Sequence, residues 1–214
     1  MRVRLLLSAV LLALSLSARA DGMAVAASSA PDQIVQQSAK SLLDAVSAQR
    51  EQLKANPQGL YDLAQKDLLP YFDFDYASRL VLGPYWRSAT ADQRKAFEDA
   101  FIKYLVHSYA DAVLKGNFSE HDLEVEPWKG VPGDTRTVVK TKVLRADAQP
   151  IEVDYQMRDT PAGWKAFDVT IEGISYVLNY QNQFRPEVEQ KGLDELIKRL
   201  NDEANRTQAT GSQG

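Results

Sequence analysis

The sequence contains few side chains whose spacing could support covalent catalysis. Residues 173–177 read Gly-Ile-Ser-Tyr-Val, which is close to the Gly-x-Ser-x-Gly turn that exposes the nucleophilic serine of many hydrolases. Val177 replaces the second glycine, and the general base would have to be His107 or His121, the two histidines of the chain. His107 falls within a long helical pattern, where a structural role is the simpler interpretation. The sequence therefore does not favour a serine hydrolase.

Three aspartates lie where a carboxylate could do chemistry or hold local structure. Asp73 and Asp75 flank Phe74 shortly after a proline, and we interpret them as caps of a helix N-terminus, where carboxylate oxygens accept backbone N–H groups. Asp168 lies among apolar residues of a predicted strand. We predict that Asp168 makes a buried hydrogen bond to a neighbouring loop, and a role as general base stays open as the alternative.

The composition excludes several further kinds of site. The 214 residues include no cysteine, which excludes thiolate metal sites, a cysteine nucleophile, redox pairs and disulfide bonds. Glycine-rich nucleotide-binding motifs and the His-Glu-x-x-His zinc motif are also missing. Lysine and arginine total 25 against 29 acidic residues, with no basic block, which disfavours nucleic-acid binding. We therefore expect no metal, no other cofactor and no nucleic-acid partner.

The N-terminus has the pattern of a cleavable export signal. Residues 1–4 contain two arginines, residues 5–16 carry no charge, and Ala18-Arg19-Ala20 is a small-residue cleavage site. The uncharged run is shorter than the roughly 20 residues that cross a bilayer, and without cysteine no lipid can be attached there. We predict removal of residues 1–20, a flexible lead at 21–30 and an exported protein with no permanent membrane anchor. Loss of three arginines makes the exported chain more acidic than the formal charge of −4 for the full sequence.

Helical patterns dominate the first half of the mature chain. Apolar residues recur every three or four positions, and Pro70 ends the second of these patterns. Thr90 and Gln93 have the types and spacing of a capping box in front of the longest pattern. The predicted helices span residues 31–54, 58–69, 74–82 and 90–116.

After residue 121 the apolar period changes from that of a helix to that of a strand. The predicted strands lie at residues 123–125, 135–144, 151–158 and 164–171. The last two flank a Thr-Pro-Ala-Gly turn, which predicts an antiparallel hairpin. On its second strand we assign Phe167, Val169 and Ile171 to the face that meets the core.

Helical spacing returns after Gly173 and ends near residue 200. Residues 201–214 are polar and without periodicity, and we predict a disordered tail. Strands in one block with helices before and after predict an α+β fold. We expect one domain over residues 31–200, in which helices from both the N-terminal and C-terminal parts cover an antiparallel curved sheet of about four strands.

Six separated segments resemble, in the same order, the toluene-tolerance or MlaC family. The matching segments contain residues 68–74, 80–87, 91–94, 163–175, 179–184 and 192–196. The resemblance runs from about residue 31 to residue 200, and a set of motifs in order is far more specific than any single motif. One position departs from the pattern, because many members carry arginine where this chain has Gln181.

The resemblance implies a periplasmic phospholipid carrier of a Gram-negative cell rather than an enzyme. Acyl chains would lie in an apolar pocket between a curved sheet and helices, with phospholipid as the bound ligand. The implied partners are an inner-membrane ABC transporter complex with an MCE-domain protein and an outer-membrane lipoprotein–porin complex. The carrier would shuttle lipid between these Mla complexes to maintain outer-membrane lipid asymmetry, and we expect a monomer.

Periodicity, rather than the resemblance, indicates which side chains could line such a pocket. The candidates are inward-facing positions of the predicted strands and helices: Val81, Phe101, Tyr104, Leu105, Val153, Tyr155, Met157, Phe167, Val169, Ile171, Val177, Tyr180 and Phe184. A solid core uses the same residue types as a pocket, so two other functions stay open. One is a small α+β enzyme acting on an apolar substrate with Asp168 as its base, and the other is a lipid-free envelope adaptor.

Overall fold

A computed structural model of the chain describes residues 29–56, 58–116, 120–131, 133–145 and 148–210. The predicted signal peptide at 1–20 and nearly all of the predicted lead at 21–30 lie outside these residues.

The N-terminal part of the described chain is helical. Its helices are α1 (Pro31–Ala55), α2 (Gln58–Leu63), α3 (Phe74–Leu82), α4 (Tyr85–Ser88) and α5 (Ala91–Lys115). The predicted capping box of α5 is confirmed, because the Thr90 side chain accepts from the Gln93 N–H while the Gln93 side chain accepts from the Thr90 N–H, each at 3.1 Å. Local sequence signals therefore place the start of the longest helix correctly.

The helix predicted at 58–69 is only partly regular. Helix α2 ends at Leu63, and the chain continues as a π-helical turn (Ala64–Leu68) and a 3₁₀ turn (Leu69–Tyr71). Pro70 has no N–H to donate, and its ring would collide with the carbonyl of the preceding turn, so the regular helix is lost before it. This path brings Phe72 to the sheet, where it forms a parallel bridge with Ala166.

The sheet is an antiparallel meander of five strands in the order β1-β2-β3-β4-β5. The strands are β1 (Leu123–Val125), β2 (Arg136–Arg145), β3 (Ala148–Thr160), β4 (Gly163–Ile171) and β5 (Ile174–Ser175). The predicted α+β class is confirmed, and so is the predicted hairpin, formed by β3 and β4. The sheet has one strand more than expected because β5, only two residues long, pairs with the end of β4.

A β-bulge interrupts the alternation of β4. Gln156 pairs with Asp168, but the next residue of β3, Met157, pairs with Ala166, so Phe167 is an extra residue on β4. Residues that pair directly across two strands share a face of the sheet. Ala166, rather than Phe167, therefore lies opposite Met157 on the inner face. The uninterrupted alternation expected for this strand is wrong at this point, because a bulge shifts the period by one residue.

Two helices complete the fold, α6 (Tyr176–Lys191) and α7 (Leu193–Thr210). Gly192 joins them with a φ of 87°, a left-handed conformation that glycine adopts without strain. The tail predicted from residue 201 is helical as far as Thr210. Ala204 is 1% exposed, and Glu203 pairs with Arg199 at 3.0 Å, so burial of one small side chain and an i, i+4 ion pair extend the helix.

The described residues pack into three apolar clusters. Helices α3 to α7 share the largest cluster, in which Phe97 is fully buried. A second cluster joins α1 and α2 to the C-terminal half of α5 around Leu53. The third joins the start of α1 to the sheet, where Ile34 packs with Met157 and Ala166. Helix α1 therefore contacts both the helical layer and the sheet.

Candidate functional site

An apolar cavity of about 300 Å³ lies between the helices and β4, and we call it the helix-side cavity. Helices α1, α2, α3, α5 and α6, the π-helical turn and strand β4 supply its walls. Aliphatic lining residues include Leu60, Ala64, Leu105, Val113, Val169 and Val177. A cavity of this size and lining is typical of sites for apolar ligands.

A second apolar cavity of about 320 Å³ lies between α1 and the inner face of the sheet, and we call it the sheet-side cavity. Its helix wall comes from α1, and its sheet wall comes from β1 to β4. Lining residues include Ile34, Val35, Leu43, Val143, Ile151 and Val153. The two cavities adjoin, because Leu42, Leu68, Phe72 and Ile171 line both of them.

Ten of the thirteen predicted pocket residues line one of these cavities. Those on the helix-side cavity are Phe101, Leu105, Phe167, Val169, Ile171, Val177 and Tyr180. Those on the sheet-side cavity are Val153, Tyr155 and Met157, and Ile171 lines both. Phe167 lines the helix-side cavity with Val169 and Ile171, and its ring packs edge-on against Tyr76 at 5.2 Å between ring centroids.

Three predicted pocket residues, Val81, Tyr104 and Phe184, line neither cavity. They pack in the large helical cluster, where Phe184 contacts the rings of Phe97 and Phe101. Helical spacing predicts that these residues face inward, and they do. It does not distinguish contact with another helix from contact with a cavity, because both faces require the same residue types.

Sequence reasoning missed three of the four residues at which the cavities adjoin and two of the three tyrosines at one cavity end. Leu42 and Leu68 belong to clear helical stripes, and their spacing alone indicated only a core position. Phe72 reaches the cavities because the irregular path after Leu63 carries it to β4. Tyr109 gave no signal, because its position depends on contacts with α6, which is remote in sequence.

Hydroxyl groups collect at the end of the helix-side cavity where α6 begins. The Tyr109 and Tyr180 hydroxyl oxygens are 3.0 Å apart and share a hydrogen bond. The ring of Tyr176 packs against both, with ring centroids 5.6 Å and 6.1 Å away. Burial, together with the hydroxyl of Tyr180, raises the pKa of Tyr109 far above its usual value, and burial also raises the pKa of Tyr180. These phenols therefore stay protonated and can donate hydrogen bonds at any physiological pH.

At the same end of the cavity, Asp168 joins β4 to the start of α6 by hydrogen bonds. One carboxylate oxygen accepts from the Val177 N–H at 3.0 Å, and the other accepts from the Ser175 hydroxyl. Ser175 also caps α6, accepting from the Leu178 N–H at 3.1 Å. The hydrogen bonds predicted for Asp168 are present, but they are partly buried and go to the end of β5 and the first turn of α6 rather than to a loop. The arrangement differs from a hydrolase elbow, because the serine hydroxyl is directed to a carboxylate rather than to a histidine.

Two other residues considered for catalysis, His107 and Asp73, also have surroundings that indicate a structural role. His107 is 7% exposed, and burial lowers its pKa, so the imidazole is neutral at physiological pH. Asp73 caps α3 by accepting from the Tyr76 N–H at 3.1 Å, which confirms the predicted capping role. Gln181 donates to the Leu80 carbonyl at 2.6 Å and joins α6 to the end of α3.

Neither a metal site nor a membrane-spanning helix is found in the part of the chain that the structure describes. No group of three or more histidine or carboxylate side chains among these residues could hold a metal ion. No helix among them is both long enough and apolar enough to cross a bilayer.

Two curated proteins are similar to this chain over most of its length. The intermembrane phospholipid transport system binding protein MlaC of Haemophilus influenzae is 26% identical over 183 residues, which cover 84% of this chain and 85% of that protein. Toluene tolerance protein ttg2D of Pseudomonas putida is 29% identical over 169 residues, covering 78% of this chain and 77% of that protein.

A solved structure shares the fold. The phospholipid-binding protein from Ralstonia solanacearum, determined in complex with a phospholipid, matches with a TM-score of 0.75 and 23% sequence identity over 84% of this chain and 99% of that chain. The family model described as MlaC protein matches residues 36–202. The chain therefore belongs to the MlaC family.

Proposed function

We propose that this protein is a periplasmic phospholipid carrier that is not an enzyme. The observation that carries the proposal is the pair of adjoining apolar cavities between sheet and helices in a chain of the MlaC family. A related protein is named for intermembrane phospholipid transport, and a protein of the same fold was solved with a phospholipid. We also propose the ten cavity-lining residues predicted from the sequence as contacts of the acyl chains.

The energetics of lipid transfer favour a carrier of this kind. Two acyl chains of about 16 carbons contain about 30 methylene groups, worth roughly 24 kcal/mol of hydrophobic transfer at about 0.8 kcal/mol each. A lipid cannot cross water with that surface exposed, so the chains must be enclosed. Leaving the bilayer costs about as much as entering the pocket returns. Direction must therefore come from partner complexes, and we propose the inner-membrane ABC transporter complex with its MCE-domain protein and the outer-membrane lipoprotein–porin complex.

We propose that the protein expands to take up its cargo, and the cavity volumes support this proposal. Each cavity is about twice the ~150 Å³ that encloses one benzene molecule, so each holds roughly a dozen carbon atoms. That is fewer than one long acyl chain contains. We propose that helices and sheet move apart on lipid entry. The side chains that line both cavities would move aside at the same time.

Native mass spectrometry of the exported protein tests the proposed function. The protein is purified from a Gram-negative periplasm, measured intact, and then extracted with organic solvent for lipid identification. We expect a mass increment equal to bound phospholipid and recovery of that lipid in the extract. Persistent absence of lipid from protein made in its native compartment would instead support an envelope adaptor with a solid core.

A transfer assay tests the partners. Lipid-loaded protein is mixed with purified inner-membrane transporter complex or outer-membrane complex in separate liposomes, and labelled lipid is followed. We expect exchange with each complex and little exchange with protein-free anionic vesicles, because the carrier is itself acidic. Equal exchange with bare vesicles would contradict docking on protein partners.

A further inference from the structure

Polar side chains in the helix-side cavity are confined to one end. Among the described lining residues, the polar ones are Tyr109, Tyr176, Tyr180 and Asp168. Asp168 accepts from the N–H of Val177 at the start of α6, and the three tyrosines contact one another in the same region. The opposite walls, from α1, α2 and the π-helical turn, are aliphatic. The cavity is therefore amphipathic along its length, as a phospholipid is.

The polar end also lies nearest to the solvent. Tyr109 is 37% exposed although it lines the cavity, whereas Tyr180 beneath it is 4% exposed. Ile174 and Leu178, on either side of Tyr176 in sequence, are 59% and 57% exposed. The hydroxyl groups thus lie between the aliphatic interior and the surface, at the depth where the glycerol backbone of a lipid with buried chains would lie.

The tyrosines have hydrogen-bonding capacity left for a ligand. Each phenol has one proton, and the hydrogen bond between the Tyr109 and Tyr180 hydroxyls uses only one of the three. At least one donor of this group is therefore available. Burial holds the Tyr109 hydroxyl in its protonated form by raising its pKa, so the donors persist throughout the physiological pH range.

Asp168 determines which acceptor of a phospholipid fits this end. Its carboxylate already accepts from Ser175 and Val177, and it lines the cavity beside the tyrosines. A phosphate placed here would meet the like charge of Asp168 at close range, which is unfavourable. An uncharged ester carbonyl accepts from a phenol without that repulsion and leaves the phosphate outside, in water.

We propose that the hydroxyl groups of Tyr109, Tyr176 and Tyr180 bind the ester carbonyl oxygens of a glycerophospholipid and so fix its headgroup at the end of the helix-side cavity where α6 begins. The proposal rests on the proposed phospholipid-carrier function and adds the orientation of the cargo and a preference for ester-linked chains.

Ester-linked and ether-linked lipids of the same headgroup provide the test. Delipidated protein is titrated by calorimetry with a short-chain diester phosphatidylcholine and with its diether analogue, which lacks the carbonyl oxygens. We expect the wild type to bind the diester about tenfold more tightly, as one or two hydrogen bonds allow. The Tyr109→Phe/Tyr180→Phe variant retains both rings and the Tyr176 hydroxyl, and we expect its ratio of diester to diether affinity to fall well below that of the wild type.

Tyr85→Phe is the matched control, because Tyr85 donates to Glu189 at 2.8 Å and lines neither cavity. It should keep the wild-type ratio of diester to diether affinity. If the double variant does not fold, Tyr109→Phe alone is used, since Tyr109 is partly exposed. Equal affinities in the wild type, or an unchanged ratio in the Phe variant, would overturn the proposal. Failure of the wild type to bind either lipid would instead count against the carrier function itself.

Discussion

Arg158 of β3 donates a hydrogen bond to Asp73 at the start of α3, with 2.6 Å between Nη1 and Oδ2. The same guanidinium lies 4.4 Å from the ring centroid of Tyr76, and Asp73 caps α3. One contact therefore joins the helical layer to the sheet beside Phe72, where the two cavities adjoin. If the layers move apart on lipid entry, we expect this ion pair to keep the start of α3 attached to β3.

Substitutions at Asp73 distinguish the contribution of the ion pair to stability from that of the helix cap. Asp73→Asn keeps a capping side chain but removes the charge, and we expect it to lower the free energy of unfolding by about 1 kcal/mol. Asp73→Ala removes both and should cost about 2 kcal/mol. Chemical denaturation measures both values. In an Arg158→Met background the Asn substitution should cost almost nothing further, and an undiminished cost there would show that the ion pair does not account for the destabilisation.

A charge placed in either cavity should prevent lipid retention. Val153 lines the sheet-side cavity and Val169 the helix-side cavity, so Val153→Glu or Val169→Glu puts a carboxylate where acyl chains would lie. We expect the purified variants to carry no phospholipid by native mass spectrometry. Val138 is 41% exposed on the same sheet, and Val138→Glu is the control that should retain lipid. A folded Val153→Glu protein with normal lipid content would remove that residue from the site.

Alkaline pH should destabilise the fold through buried tyrosines. Burial raises the pKa of Tyr155 to about 12, against about 10 in the unfolded chain. The folded state therefore holds this proton more tightly, and the associated stability is full below pH ~10 and is lost as pH rises from about 10 to about 12. The pKa values of Tyr109 and Tyr180 shift in the same direction.

Tyrosinate absorbance measured against pH checks this expectation. We expect part of the signal from the nine tyrosines to appear only at high pH, and Tyr155→Phe to reduce that late phase. Bound lipid would fill the cavities, and we expect it to shift this late phase to still higher pH. A single titration near pH ~10 in protein that is still folded would contradict the burial of these hydroxyls.

Removal of the end of α7 should destabilise the protein. Ala204 is 1% exposed, and Arg199 pairs with both Glu187 and Glu203. A chain that ends at Leu200 loses the buried alanine and one of these two pairs, and we expect its Tm to fall by at least a few degrees. Glu203→Ala removes only the exposed pair and should have a much smaller effect. An unchanged Tm of the shortened chain would mean that residues 201–210 contribute nothing to the fold.

Features that depend on local sequence were predictable. The capping residues Thr90 and Gln93, the stop at Gly83 and the β3–β4 hairpin all follow from interactions between residues close in sequence. For these elements the residue types alone determine the geometry.

Features that depend on contacts between distant segments were not predictable. The extra residue Phe167 cannot be recognised in β4, because apolar side chains occupy both faces of that strand. Phe72 reaches Ala166 across more than ninety residues of chain, and Tyr109 meets Tyr180 across 71. The pocket-facing side of each predicted element was therefore largely foreseen, whereas most residues at which the cavities adjoin, and the grouping of tyrosines at one cavity end, were not.

The side chains shared by the two cavities have an evolutionary consequence. Because Leu42, Leu68, Phe72 and Ile171 line both cavities, a change of side-chain volume at any one of them alters both spaces at once. Single substitutions at these positions would join the two spaces into one or divide them more completely. Proteins of this architecture can thus diverge in the bulk of the molecules they accommodate through single substitutions in the interior, with no change of surface residues.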